Sequence, residues 1–244
     1  MVRLSGEGKK MGNPEWYYDE KQAGVDYLDP EIAQEYDKEH QKFRNFEGET
    51  EAIVQTLGIT PDDTVLDFGC GTGGIALNLT KYCKKVIGVD ISREMLDILE
   101  EKAKNEEITN IKTHCAGFLT YNHGKAEKVD KIVSMVALHH LPDFWKSVAL
   151  LKMAEILKTG GKLYLFDVVF TFNSQDYQKA LGKMIQEMRD TAGDSMADEI
   201  EVHIRDEFST YDWIMEGLLV KAGFSIDSVE FKTDNLRGYV CSKL

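Results

Sequence analysis

Cysteine is scarce in this chain, and long apolar runs are absent. Only 4 of 244 residues are cysteine. Their positions show no paired spacing of a disulfide framework or a metal cluster, so we expect no metal site and buried free thiols at Cys70, Cys83, Cys115 and Cys241. No apolar stretch is long enough to cross a bilayer, and residues 1–13 lack the apolar core of a signal peptide. We therefore expect a cytoplasmic protein without a membrane partner.

Basic residues are also few. The chain has 29 lysines and arginines against 42 aspartates and glutamates, which gives a net charge of −13 and a pI of about 5.0. Domains that bind nucleic acid usually present a basic face, so this balance argues against a nucleic-acid partner. An apolar fraction of 43% supports a full core in one domain, or in one domain with a cap. The sequence does not decide the oligomeric state, and a homodimer is one alternative.

The most informative segment is a glycine-rich turn that follows an apolar run. Residues 64–73 read Thr-Val-Leu-Asp-Phe-Gly-Cys-Gly-Thr-Gly, and a second apolar run ends on Asp90, 23 residues after Asp67. Glycines in such a turn adopt backbone angles closed to other residues and let a ligand approach the main chain. The next helix points its first N–H groups at that ligand, and a carboxylate at the tip of the second strand accepts ribose hydroxyls. This layout predicts a nucleotide-type site on a parallel sheet.

Asp67 separates two kinds of nucleotide ligand. It lies two residues before the first glycine, where a pyrophosphate would face a like charge and a cationic amino group would be attracted. S-adenosylmethionine has a ribose, an ammonium and a sulfonium, and carries no phosphate. The pattern hydrophobic-Asp-x-Gly-x-Gly-x-Gly resembles the first motif of the class I (Rossmann-like) S-adenosylmethionine-dependent methyltransferases, of the type that acts on small molecules. The alternative is that Asp67 and Asp90 are ordinary acids at strand ends.

The resemblance covers residues 53–168 in four motifs. Beyond the glycine turn, residues 87–95 resemble the family's second motif, residues 130–141 its fourth-strand motif, and residues 157–163 the turn before its fifth strand. The resemblance implies S-adenosyl-L-methionine as the cofactor and S-adenosyl-L-homocysteine as the product. The cofactor-binding residues that it implies are Tyr36, Asp67, Gly69, Cys70, Gly71, Thr72, Gly73, Asp90, Ile91, Met95, Gly117, Phe118 and Val136.

The adenine end of this implied site departs from the family. The family's third strand usually ends in Gly-Asp, and the acid bonds the adenine amino group, but this chain has Ala116, Gly117 and Phe118 there. Adenine recognition would then fall to the backbone of Gly117 and Phe118, with weaker cofactor affinity as one consequence. Met95 could cover the adenine or belong to the core.

Apolar runs that alternate with amphipathic helices predict an α/β fold. We expect a doubly wound, mostly parallel sheet of seven strands, with helices on both faces and right-handed crossovers. The last two apolar runs, residues 226–232 and 238–242, are close enough for a C-terminal antiparallel hairpin. The expected organisation is an N-terminal helical lid over residues 1–46 and a Rossmann-like domain over 47–244, with a helical cap inserted at 171–210.

The inserted segment is strongly acidic. Residues 176–212 contain ten acidic and four basic residues, a net charge of −6. A solvated outer helix face accounts for this charge, and a cap that steers a cationic acceptor is the alternative. Within the segment, Arg205 could bind an acceptor carboxylate or pair with Asp206 or Glu207.

Candidates for catalysis and substrate binding come from the rim of the sheet and its two flanking segments. His139 and His140 follow the fourth strand, at the edge where ligands bind in open α/β sheets; either could be a general base or an ordinary turn residue. Aromatic residues of the lid could form a wall for the acceptor or pack in the core. The substrate candidates from the lid, the rim and the insertion are Tyr17, Tyr18, His140, Arg205 and Tyr211.

These features predict an enzyme that moves a methyl group from S-adenosylmethionine to an oxygen, nitrogen or carbon of a small-molecule acceptor. The sulfonium is already a good leaving group, so much of the rate can come from holding the nucleophile in line and excluding water. A base is needed only if the acceptor must lose a proton. The alternatives are a module that binds the cofactor without transfer, or a protein methyltransferase. A nicotinamide-dependent dehydrogenase is disfavoured by Asp67, and the sequence does not identify the acceptor.

Overall fold

The computed structural model describes residues 14–20, 36–37, 40, 44–124 and 127–244. Most of the expected N-terminal helical lid, residues 1–46, therefore lies outside the described residues. The remaining chain follows the predicted alternation of strands and helices. Within the described part, no helix combines the length and the apolar composition that a bilayer crossing requires.

A central sheet organises the described chain. Its strands are β1 Thr64–Phe68, β2 Lys85–Asp90, β3 Ile111–Cys115, β4 Val129–Met135, β5 Leu157–Phe170, β6 Thr210–Tyr211, β7 Phe224–Thr233 and β8 Leu236–Lys243. The order across the sheet is β3-β2-β1-β4-β5-β8-β7, and the short β6 pairs with the end of β5. Strands β1 to β5 are parallel, whereas β8 is antiparallel to both β5 and β7. The predicted fold class is confirmed, with β6 as an additional strand.

Helices connect these strands. They are α1 Phe46–Leu57, α2 Ala76–Leu79, α3 Arg93–Asn105, α4 Asp143–Ile156, α5 Tyr177–Ala192, α6 Asp194–Asp206 and α7 Asp212–Lys221. A 3-10 turn covers Leu138–His140 after β4. Helix α3 begins after Ser92, whose hydroxyl accepts the N–H of Met95 at 3.1 Å and so satisfies a free donor of the first turn. Helices α5 and α6 form the inserted segment.

The sheet is buried on both faces, as parallel strands usually are. Along β1, Leu66 faces one core cluster, which includes Leu150 of α4, whereas Val65 faces a second cluster, which includes Ile53 of α1 and Leu99 of α3. This sandwich explains why the strands read as continuous apolar runs. It also leaves the carboxyl ends of the strands as the free edge where a ligand can bind.

The expectation of buried thiols holds for three of the four cysteines. Cys70, Cys83 and Cys241 are buried free thiols. Cys115 is free but exposed, which corrects the expectation at that position. The reason is its place as the last residue of β3, the strand at the open edge of the sheet.

Candidate active site

A cleft lies over the carboxyl ends of β1 to β4. Its volume is about 720 Å³, including the part open to solvent. Its wall combines the glycine turn after β1, the tips of β2 and β3, the segment after β4 and two residues of the N-terminal segment. Of the predicted cofactor residues, those on this wall are Tyr36, Gly69, Gly71, Asp90, Ile91, Met95, Gly117, Phe118 and Val136.

Two glycines of the turn are required for different reasons. Gly69 has φ +71°, and a Cβ there would lie 2.3 Å from the Cβ of Ala137, so both backbone and packing exclude a side chain. Gly71 has φ +52°, and a Cβ there would meet nothing within 4 Å. The turn therefore presents bare main chain to the cleft at Gly71.

Asp90 is held in a fixed orientation at the tip of β2. Its carboxylate accepts the N–H of Gly71 at 2.8 Å and the N–H of Ser92 at 2.9 Å. Burial raises the pKa of Asp90, and these backbone donors partly offset that effect. A preoriented carboxylate beside bare main chain suits the paired hydroxyls of a ribose, so these residues fit an adenosyl ligand.

Asp67 lies behind the glycine turn, with 2% of its surface exposed, and does not reach the wall of the cleft. Burial, followed by the negative charge of Asp90, raises the pKa of Asp67 to about 7. Two neighbouring carboxylates make this region attractive to a cation and unfavourable for a phosphate. Asp67 and Asp90 therefore place negative charge next to the glycine turn, and direct contact between Asp67 and a ligand stays a prediction.

Three other predicted cofactor residues, Cys70, Thr72 and Gly73, also lie behind the wall. Cys70 is buried, and a Cβ at Gly73 would lie 2.8 Å from Leu99. The hydroxyl of Thr72 donates to Asp37 at 2.5 Å, so this residue is engaged with the N-terminal segment. The structure places all three as supports of the turn.

Val136 has a backbone conformation that is rare for its type. Its φ is +52°, although it is a β-branched residue, and its N–H donates to the carbonyl of Phe166 at 2.7 Å. Such outliers persist where the surrounding structure enforces them, and they are frequent at functional sites. Here the conformation redirects the chain from β4 into the wall of the cleft.

His139 is held between two carboxylates behind the rim. Its Nδ1–H donates to Asp167 at 2.5 Å, and its Nε2 lies 3.1 Å from Oε2 of Glu207. Burial alone would lower the pKa of His139, but the two carboxylates outweigh it and raise the pKa to about 9. Glu207 also pairs with Nδ1 of His203, whose Nε2 lies 2.7 Å from the hydroxyl of Ser209. His139 is therefore cationic at neutral pH.

His140 differs from His139 in its position, its hydrogen bonding and its pKa. It lies on the wall of the cleft, and its buried Nδ1 has no hydrogen-bond partner among the described residues. Burial, and then the positive charge of His139, lowers the pKa of His140 to about 4. The ring is therefore neutral at physiological pH, with one nitrogen that donates a hydrogen bond and one that accepts.

One atom each of His139, His140 and Glu207 lie within 4.8 Å of one another, close enough to hold a metal ion. Both ring nitrogens of His139 are already occupied by carboxylates. These ion pairs account for the cluster.

The other substrate candidates do not join the cleft. Tyr17 and Tyr18 pack on Trp145 of α4, with ring centroids 4.9 Å and 5.7 Å away. Arg205 is exposed and pairs with Asp206 at 2.7 Å, one of the alternatives that the sequence left open. Tyr211 packs on aromatic side chains at the end of β5.

The sequence did not place two residues, Glu20 and Glu207, at the site. Glu20 lies on the wall and accepts a hydrogen bond from Phe118, which follows β3 and is 98 residues further along the chain. Glu207, which the sequence suggested only as a partner for Arg205, contacts His139 instead. Glu20 belongs to the N-terminal segment and Glu207 to the inserted segment. No local sequence pattern shows how these segments pack on the sheet.

Comparison with known proteins agrees with this geometry. Residues 65–161 match a family described as a methyltransferase domain. An uncharacterised methyltransferase of Geobacillus sp. (strain WCH70) is 30% identical over 78% of this chain and 82% of its own length. One of Geobacillus kaustophilus is 29% identical over 83% of this chain and 90% of its own length.

Solved structures of low sequence identity share the fold. An S-adenosylmethionine-dependent methyltransferase of Clostridium acetobutylicum has a TM-score of 0.65 at 14% identity, over 87% of this chain and 98% of its own. Magnesium protoporphyrin IX methyltransferase of Synechocystis, with S-adenosylhomocysteine bound, has a TM-score of 0.63 at 17% identity. The match covers 90% of this chain and 97% of that protein. The chain belongs to the class I S-adenosylmethionine-dependent methyltransferases, and S-adenosylmethionine is its cofactor.

Proposed function

We propose that this enzyme methylates a small-molecule acceptor that it holds beneath its N-terminal segment. The observation that carries the proposal is the composition of the cleft wall. Glu20 and Tyr36, both from the N-terminal segment, line the same cleft as Gly71 and Asp90. A cleft that is covered in this way accommodates a small molecule more readily than a side chain on a folded protein surface.

Two anchors hold the covering segment. Tyr17 packs edge-on against Trp145. Further along, Asp37 accepts the hydroxyl of Thr72 and forms an ion pair with Lys102. We accordingly propose residues 1–46 as a lid, residues 47–244 as the catalytic domain and residues 171–210 as a cap whose Glu207 supports the rim.

The acceptor end of the cleft is mostly apolar. Met135 and Leu141 line it together with the neutral ring of His140. S-adenosylmethionine supplies an activated methyl group, so this end of the site has to position a nucleophile and exclude water. These residues favour an uncharged acceptor whose O–H or N–H group donates a hydrogen bond to the neutral ring of His140.

The two histidines then have separate roles. We assign His140 as the residue that contacts the acceptor, because it lies on the wall and its neutral ring has one nitrogen that can accept a hydrogen bond. His139 is a positioning residue, because both of its ring nitrogens are occupied by carboxylates. Its fixed positive charge also keeps His140 neutral.

Neighbours in fold support a small-molecule acceptor, since they include a magnesium protoporphyrin IX methyltransferase and a cyclopropane synthase. The test is release of S-adenosylhomocysteine by the purified protein across a panel of small oxygen, nitrogen and carbon nucleophiles. We expect turnover with uncharged acceptors. Binding of S-adenosylmethionine with no turnover on the panel, but methyl label on protein in an extract, would overturn the proposal. A parallel titration with NAD should show no binding.

A further inference from the structure

Glu20 makes an unusual set of contacts for a residue so early in the chain. Its Oε1 accepts the N–H of Phe118 at 2.6 Å, and its Oε2 accepts the N–H of Leu119 at 3.0 Å. The hydroxyl of Thr120 lies 3.4 Å from Oε2. A carboxylate of the N-terminal segment is thereby fixed on the turn that follows β3.

Gly117 leaves the space that this carboxylate occupies. A Cβ at residue 117 would lie 2.1 Å from the carboxyl carbon of Glu20 and 2.2 to 2.3 Å from its two oxygens. Real side chains do not approach so closely, so any residue but glycine at 117 would have to displace Glu20. The absence of an acid at the end of β3 and the presence of Glu20 are therefore two parts of one arrangement.

The position of Glu20 in the cleft indicates what it would meet. Asp90, the ribose-type acid, lies at the tip of β2, and β3 is the next strand toward the edge, with Cys115 in register with Asp90. Past Asp90 the wall is apolar, formed by Ile91, Met95, Ala116 and Phe118, and Glu20 adds a carboxylate to it. A flat base attached to the ribose fits the apolar part, and its polar edge reaches the carboxylate.

We infer that Glu20 is the residue that recognises the amino group of the adenine, supplied by the N-terminal segment in place of an acid at the end of β3. This inference rests on the proposed cofactor site. Each carboxylate oxygen has lone pairs to spare beyond its backbone donor, so it can also accept an N–H of a 6-aminopurine. A 6-oxopurine would place a carbonyl oxygen against the same carboxylate, and the repulsion would exclude it.

The test compares binding of S-adenosylhomocysteine and its deaminated analogue, S-inosylhomocysteine, by calorimetry. The wild type should prefer the amino compound by about tenfold to a hundredfold. Glu20→Ala should weaken binding of S-adenosylhomocysteine by a similar factor and abolish the preference. Glu15→Ala, which removes an exposed acid from the same segment, should change neither value.

A swap of the acid tests the geometry directly. Glu20→Ala combined with Gly117→Asp returns a carboxylate to the same space from β3, so the double variant should regain the preference for the amino compound. Gly117→Asp alone should gain nothing, because the new side chain collides with Glu20. Thermal unfolding of each variant checks that the fold is intact.

Three outcomes would overturn the inference. The first is unchanged or tighter binding of S-adenosylhomocysteine by Glu20→Ala, since Glu20 would then only occupy the Phe118 and Leu119 donors. The second is a Glu20→Ala variant that still folds and still prefers S-adenosylhomocysteine over S-inosylhomocysteine as the wild type does. The third is failure of the wild type to bind S-adenosylhomocysteine, which would also refute the cofactor site, whereas the first two leave that site and methyl transfer intact.

Discussion

The carboxylate of Asp90 accepts the backbone N–H of Gly71 at 2.8 Å. This bond joins the glycine turn after β1 to the tip of β2, two parts of the site that lie 19 residues apart in the chain. The second oxygen of Asp90 accepts the N–H of Ser92 at 2.9 Å. The carboxylate reaches the cleft already oriented, and a ligand need not order it.

Replacement of Asp90 should therefore cost cofactor affinity. We expect Asp90→Ala to weaken binding of S-adenosylmethionine by about tenfold to a hundredfold, because it removes a charged hydrogen-bond acceptor from a preformed site. Calorimetric titration measures the change. Asp97→Ala is the matched control, since Asp97 is an exposed acid on the following helix. Equal affinities for the two variants would contradict the assignment of Asp90.

Cofactor affinity should depend on pH through Asp67. Its pKa of about 7 in the empty protein means that it carries a proton below that pH. A cationic ligand favours the ionised carboxylate, so below pH 7 binding must release a proton. We expect the affinity for S-adenosylmethionine to fall as the pH is lowered from 8 to 6, by up to about tenfold per pH unit. Asp67→Asn should remove this dependence of affinity on pH. If the affinity of the variant fell with pH as steeply as that of the wild type, the role of Asp67 would be refuted.

The same pKa predicts the stability of the empty protein. Because folding raises the pKa of Asp67 above its unfolded value, the protonated carboxyl favours the folded state. This contribution is fully present below about pH 4 and is lost as the pH rises through 7. Without cofactor, Asp67→Asn should therefore raise Tm relative to the wild type at pH 8. At pH 5, differential scanning fluorimetry should show a smaller difference or none.

The part of the site that the sequence predicts is the part encoded locally. The glycine turn and Asp90 depend on backbone freedom and on the end of one strand, and both appear in the sequence as short patterns. Ser92 is similar, because a cap needs only the residue that begins the helix. These features required no knowledge of distant packing.

The direction in which a side chain points, and contacts between residues far apart in the chain, could not be predicted from such short patterns. Spacing places Thr72 beside the turn but does not show that its hydroxyl points to Asp37, away from the cleft. Arg205 is an exposed surface residue, while Glu207, two positions later, reaches His139. Glu20 could not be foreseen, because its partner Phe118 lies 98 residues away. Such contacts depend on how the lid and the insertion pack on the sheet.

His140 should matter for the acceptor and not for the cofactor. We expect His140→Ala to lower kcat/KM for the acceptor by about tenfold to a hundredfold, because a neutral hydrogen-bonding ring is lost from the wall, while affinity for S-adenosylmethionine changes little. His140→Gln keeps an acceptor oxygen and should recover part of the loss. Release of S-adenosylhomocysteine and calorimetry give the two values. The matched control is His114→Ala on β3. A loss confined to cofactor affinity would contradict this role.

The buried network around His139 should give a pH-dependent stability of defined sign. Asp167 and Glu207 raise the pKa of His139 from its ordinary value of 6.5 to about 9, so its charge stabilises the folded state below the unfolded pKa. That contribution is lost as the pH rises through about 9. We expect the difference in Tm between the wild type and His139→Gln to be largest near pH 6 and to shrink steadily toward pH 10. Thermal unfolding from pH 6 to 10 measures it.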